Sequence, residues 1–191
     1  MITTAAPPKR YSIYDLDQFP DDGKLRELVD GQIVEWDVPT YRHAFVEAAF
    51  VVRVGNFVRQ NRLGQVVSGE GMVRILGSEY HARGSDLAFY QRGRYPKDVD
   101  AEATVTAPDF VIEVLSPTDR ASLVEAKIGD WLRAGVRLLW YVNPEASTTM
   151  VYTQDGIRRV SGTEPLDGGD VLPGLQLRLQ DLLDELDDEE E

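Results

Sequence analysis

The stretch Asp109-Phe110-Val111-Ile112-Glu113-Val114-Leu115-Ser116-Pro117 decides how the rest of the chain is read. A run so rich in Val, Ile and Phe, closed by Ser-Pro, predicts a short buried strand. Side chains alternate along a strand, so Phe110, Ile112 and Val114 share one face while Val111, Glu113 and Leu115 share the other. A carboxylate in an apolar row is costly unless a cation or a proton meets it, so Glu113 implies a partner.

Candidate partners lie on both sides. Upstream, Ser85-Asp86-Leu87-Ala88-Phe89-Tyr90 predicts a strand with Asp86 just before its apolar run. Paired strands lie about 4.8 Å apart, so Asp86 and Glu113 could converge on one point. Two such carboxylates repel unless a proton or cation intervenes. Their oxygens suit a hard ion such as Mg²⁺ or Mn²⁺, with the Val114 carbonyl as a third ligand. Downstream, Ser116-Pro117 ends the strand, and Asp119 or Ser122 can cap a helix running to Gly135, with Val124, Ile128, Trp131 and Leu132 inward. Lys127 flanks that stripe, and its long stem can carry an ammonium to the acids. A Glu113–Lys127 ion pair without any metal is the rival reading of the same residues.

The remaining elements complete an α/β pattern. Ser12 and Asp15 open a short helix before Pro20, and Asp30-Gly31 between two alternating runs predicts a two-residue hairpin turn. From about Thr40 to Asn61, Val46, Ala49, Phe50, Val54, Phe57 and Val58 fall at helical spacing, with Gly64 as a stop. Gln65 to Leu76 reads as a strand, as does Arg137 to Val142, stopped by Asn143-Pro144. Thr149 to Val160 is a second hairpin turning at Asp155-Gly156, and Leu175, Leu177 and Leu179 alternate before an acidic end. The expected fold is a mixed central sheet flanked by helices, with an N-terminal and a C-terminal hairpin, in one domain over residues 1–183 followed by an acidic tail over 184–191.

The ordered set of two acids and a lysine resembles the PD-(D/E)XK nuclease superfamily, and more closely its Uma2 branch of restriction-endonuclease-like proteins. The resemblance runs from Tyr11 to Leu183 and is carried by ELVDGQIVE (27–35), His43 opening the long helix, SDLAFY, APDFVIEVLSP, KIGDWLRAGVRLLWYVNP and VLPGLQLRL. It implies a restriction-endonuclease-like core, Asp86 and Glu113 as metal-binding acids, Mg²⁺ or Mn²⁺ as cofactor and DNA as substrate. The sequence departs from the superfamily pattern at Leu115, where a lysine is usual, and Lys127 resembles the relocated lysine of the Uma2 branch. Ser85 stands where Pro is usual. Glu27 matches a recurrent Uma2 position, while Glu47 lies where other superfamily members place an extra ligand; Glu27 is the preferred fourth site residue.

Composition narrows the alternatives. With 191 residues, 42% hydrophobic and 28% charged, the chain can bury a core without staples. It has no cysteine, which fits a reducing compartment, and neither a secretory h-region nor an apolar run of membrane-spanning length, so a cytoplasmic protein is expected. Two histidines without cysteine argue against a zinc site, and no Gly-rich phosphate loop is present. His43 reads as a solvated helix residue and His81 as isolated. Trp36, Trp131 and Trp140 read as core. The net charge is −13, but residues 181–191 hold eight acids and no base; the 25 acids and 20 bases left give the body only −5. Arg53, Arg59, Arg62, Arg92, Arg94 and Lys97 could then edge a phosphate-contacting groove. The sequence is compatible with a homodimer without requiring one. A non-catalytic binding or assembly module is the alternative from another class, and an acidic mimic of nucleic acid would need a continuous acidic face that a −5 body does not supply.

Overall fold

Among the described residues twelve strands fall into three sheets, and the decisive stretch lies in the middle of the largest. The computed structural model describes residues 9–69, 71–97 and 99–187. In chain order the strands are β1 (Leu25–Val29), β2 (Gln32–Trp36), β3 (Gly64–Ser68), β4 (Val73–Arg74), β5 (Ala82–Arg83), β6 (Leu87–Gln91), β7 (Phe110–Val114), β8 (Leu138–Asn143), β9 (Thr148–Thr153), β10 (Gly156–Ser161), β11 (Leu166–Asp167) and β12 (Gln176–Leu177). The α-helices are α1 (Tyr41–Gln60), α2 (Ala121–Ala134) and α3 (Leu179–Asp187). The six-stranded sheet has the order β10-β9-β8-β7-β6-β3, the four-stranded sheet β2-β1-β5-β4, and β11 pairs β12. This is the mixed, helix-flanked sheet that the pattern of elements predicts.

In the large sheet only β7 and β8 run parallel, and α2 is the crossover that such a pair requires. The alternation read in β7 holds. Phe110, Ile112 and Val114 join a cluster with α1 and α3 residues such as Phe50, Val54 and Leu182. Val111 faces α2, packing with Ile128 and Trp131. Asp30 and Gly31 both adopt positive φ (51° and 83°) at the turn of the first hairpin, as Asn/Asp-Gly turns do.

Several local expectations are corrected. The Gln65–Leu76 run is two strands in different sheets, because glycines 69 and 71 break it. Gly64 does not stop α1, which ends at Gln60; it opens β3 where a Cβ would lie 2.0 Å from the Tyr90 carbonyl oxygen. Leu132 is 41% exposed, so the inward stripe of α2 is Val124, Ile128 and Trp131. Neither Asp119 nor Ser122 caps α2, whose N-cap is Arg120; the Asp119 carboxylate instead accepts from the Ser116 amide at 2.8 Å. The short helix after Ser12 is a 3-10 turn, Ile13–Gln18, closed by the expected Ser12–Asp15 capping box.

The acid-rich end is helical as far as Asp187. Leu179, Leu182 and Leu183 are buried on one side of α3, while Glu185 pairs with Arg53 of α1. The apolar spacing 179, 182, 183 anchors the helix, and its acids occupy the outer face. Residues 188–191 of the expected tail lie outside the described residues.

Candidate active site

The site forms where β6 and β7 meet the first turns of α1 and the flank of α2. Leu87 is registered with Ile112, so Asp86, one residue earlier, stands across from Glu113. The two acids line one cleft of about 250 Å³ with His43, Glu47, Val114 and Lys127. The Val114 amide donates to Asp86 Oδ2 at 2.5 Å, which fixes that carboxylate against the strand. The structure therefore brings Asp86, Glu113, Val114 and Lys127 together.

Glu113 is buried, and both of its oxygens have donors: the Trp131 indole at 2.6 Å and Lys127 Nζ at 2.8 Å. Burial pushes its carboxyl well above the usual range; Lys127 opposes that rise and Asp86 adds to it. Glu27, on β1, is equally enclosed. Its Oε1 accepts from the Gly84 amide at 3.0 Å and faces Lys127 at 3.1 Å; its Oε2 accepts from Trp36 and Arg83, both at 2.8 Å. Two of the three tryptophans read as core thus serve as indole donors to carboxylates, and Trp140 alone is simply packed.

On the opposite wall, His43, Glu47 and Asp86 each offer a ligand atom, all within 4.8 Å of one another, a spacing that could hold a metal ion. His43 is not solvated. Its Nε2 lies 3.5 Å from Asp86 Oδ2, and its Nδ1 is buried without a hydrogen-bond partner. Burial pulls the imidazole down, but Asp86, Glu47 and Asp119 together hold it above its ordinary value. Burial and the nearby Asp86 push Glu47 up, His43 opposing. One imidazole and two carboxylates crowded in this way suit Mn²⁺ and, with water oxygens, Mg²⁺. The signal for this wall was the four-residue spacing of His43 and Glu47, which puts both on one helix face.

Tyr141, registered beside Glu113 on β8, also lines the cleft, and its hydroxyl is buried with no hydrogen-bond partner. Burial and the carboxylates around it keep the phenol protonated. The arginines do not rim this cleft. Arg59, Arg62 and Arg92 line a separate groove at the far ends of α1 and β6, Arg53 pairs with Glu185, and Arg94 lies 3.3 Å from Asp109. Among the described residues, no helix is long and apolar enough to cross a membrane.

Known proteins give the same frame. The sequence model of the Uma2 family, described as "Putative restriction endonuclease", matches residues 13–180. A crystal structure of a protein described as "a putative nuclease belonging to DUF820", from Anabaena variabilis ATCC 29413, superposes with a TM-score of 0.78 at 21% identity, covering 92% of this chain and 98% of that one. At that identity the likeness speaks for the fold. No curated protein matches.

Proposed function

Because the chain belongs to the Uma2 family of restriction-endonuclease-like proteins, we propose that it hydrolyses phosphodiester bonds of DNA with Mg²⁺ or Mn²⁺ at the cleft between β6, β7, α1 and α2. The observation that carries this reading is the meeting of two sets of groups at Asp86: the His43–Glu47 pair from α1 on one side and Glu113 with Lys127 on the other.

In this reading Asp86 is the common ligand, with His43 and Glu47 completing the protein's share of the shell. Glu113 and Val114, the other ligands expected from sequence, border the same space, Glu113 with each oxygen already accepting a hydrogen bond. When bound, the ion would polarise the phosphoryl group and lower the pKa of a water. Lys127, having no lone pair while protonated, cannot be a ligand; its ammonium orients water or meets charge developing on phosphate. Glu27 holds Lys127 in place and so acts beside the chemistry. This geometry favours Glu47 over Glu27 as the additional ligand.

The second reading, a nuclease-fold module without catalysis, is favoured by one fact: Lys127 is already bridged between Glu27 and Glu113. Mn²⁺ titration followed by plasmid nicking separates the two. The nuclease reading expects Mn²⁺ binding and nicking in the wild type, and the loss of both in Asp86→Asn. A wild-type protein that binds no Mn²⁺ and leaves supercoiled DNA intact at saturating ion would leave only the module.

A further inference from the structure

The site lysine is held by a buried series of charges that the proposed chemistry does not use. Arg83, on the two-residue strand β5, has no solvent exposure. Its NH1 donates to Glu27 Oε2 at 2.8 Å, while its Nε and NH2 reach Asp130 Oδ2 at 2.7 and 2.6 Å. That same Asp130 oxygen lies 2.8 Å from His81 Nε2, and His81 Nδ1 lies 3.1 Å from Asp30 Oδ1. Opposite charges therefore alternate from Asp30, at the exposed hairpin turn, through His81, Asp130, Arg83, Glu27 and Lys127 to Glu113 in the cleft.

Two features make this series more than a set of ion pairs. From His81 inward it holds three carboxylates and three buried basic groups, which match in charge when Glu113 is ionised and the imidazole is protonated; Arg133, at the surface, pairs with the other oxygen of Asp130. Asp130 favours the protonated imidazole by raising the His81 pKa; burial and Arg83 oppose it, and Asp30 supports it. Second, the Arg83 guanidinium is a rigid fork, and it spans two carboxylates from different elements, Glu27 on β1 and Asp130 on α2. With Trp36, Gly84 and Arg83 all donating to it, Glu27 has little freedom to rotate, and the oxygen it offers Lys127 is fixed.

We infer that Arg83, clamped by Asp130, is a positioning residue that fixes the Lys127 ammonium through Glu27. Its consequence for turnover rests on the nuclease reading above; its consequence for Lys127 does not. A lysine at position 83 keeps the charge but, as a flexible point charge, cannot bridge both carboxylates in the same geometry.

The chain has four lysines, so side-chain ammonium resonances of ¹⁵N-lysine-labelled full-length protein can be assigned with Lys127→Arg. In the wild type the enclosed Lys127 ammonium gives a signal protected from hydrogen exchange. Arg83→Lys and Asp130→Asn, checked by thermal melt to be folded, are expected to shift that signal and speed its exchange while leaving Mn²⁺ affinity unchanged. On the nuclease reading they also lower nicking at saturating Mn²⁺ by about 10- to 100-fold, a loss in kcat rather than in ion binding. A folded variant with an unchanged Lys127 signal overturns the inference, as does unfolding of both variants, which would give the series a purely structural role. If the signal moves as expected but the wild type nicks nothing, positioning stands and the nuclease reading falls.

Discussion

The two faces of β7 differ in kind although they alternate residue by residue. Phe110, Ile112 and Val114 look onto α1 and α3 through a wholly apolar cluster, in which the Phe110 and Trp140 rings meet edge to face at 4.8 Å. On the other face Val111 packs under α2, and two residues further on Glu113 meets Lys127 and Trp131. One face is spent on stability along its whole length. The other changes, within a single step of the pleat, from core to an acidic cleft whose groups cost desolvation.

Perturbations of each face should therefore fail in different ways. The largest effect belongs to the apolar face: Phe110→Ala, at a position with no exposure, should lower stability by about 3 to 5 kcal/mol in denaturant melts. A folded Phe110→Ala protein should still bind Mn²⁺; if it lost the ion without losing stability, the division between the faces would be wrong.

Lys127→Ala comes next, at about 3 kcal/mol, because it leaves Glu27 and Glu113 in the interior without their cation. Unlike Phe110→Ala it should also abolish nicking, with Mn²⁺ binding retained. Glu47→Gln is expected to act only on the ion, reducing Mn²⁺ affinity by about 10- to 100-fold with little change in melting temperature. If Glu27→Gln instead were the variant that lost Mn²⁺ affinity and Glu47→Gln were silent, the assignment of the extra ligand would reverse.

A smaller effect follows pH. His81 has a folded pKa above its unfolded value near 6.5, so its contribution is fully present below that value and is lost as pH rises through the folded one. Subtracting the stability of His81→Gln from that of the wild type should leave a difference that is larger at acid pH and shrinks toward alkaline pH. A difference that grew with pH would mean that the imidazole is neutral between Asp30 and Asp130. The smallest effect is expected from replacing charge by grease. Glu113→Leu combined with Lys127→Met removes one buried charge of each sign and leaves Glu27 paired with Arg83, so it should change stability by no more than about 1 kcal/mol, since apolar substitutes for buried ion pairs are often neutral, and should remove nicking completely. A large loss of stability there would erase the contrast between the two faces.

How much of this was legible depends on whether a contact is local. Glu113, Asp86 and Lys127 could be read because each stands on, or directly before, a regular element whose periodicity says which way it points. The pairing of β6 with β7 then follows from two short apolar runs next to one another. Glu47 could be weighed but not chosen, since its closeness to Asp86 depends on how the start of α1 lies against the sheet. His43 and His81 looked solitary because their partners are 43 and 49 residues away along the chain. Arg83 was invisible for another reason: a strand of two residues has no period, and nothing local distinguishes a guanidinium that ties the four-stranded sheet to α2 from one in solvent. At the acid-rich end the charges outnumber the three buried leucines, although the leucines decide where it lies.

The two open edges of the six-stranded sheet carry unequal protection. β10, at one end, displays Arg158 and Arg159, and like charges along an edge repel a second strand. β3, at the other, reads Gly64-Gln65-Val66-Val67-Ser68 and has no charged side chain at all. Its outer row of amides and carbonyls is thus the sheet's weak margin, where a stray extended segment can be templated. Damage that loosens α1, which packs on β3, would turn that margin into the point from which aggregation starts, well away from the acidic cleft.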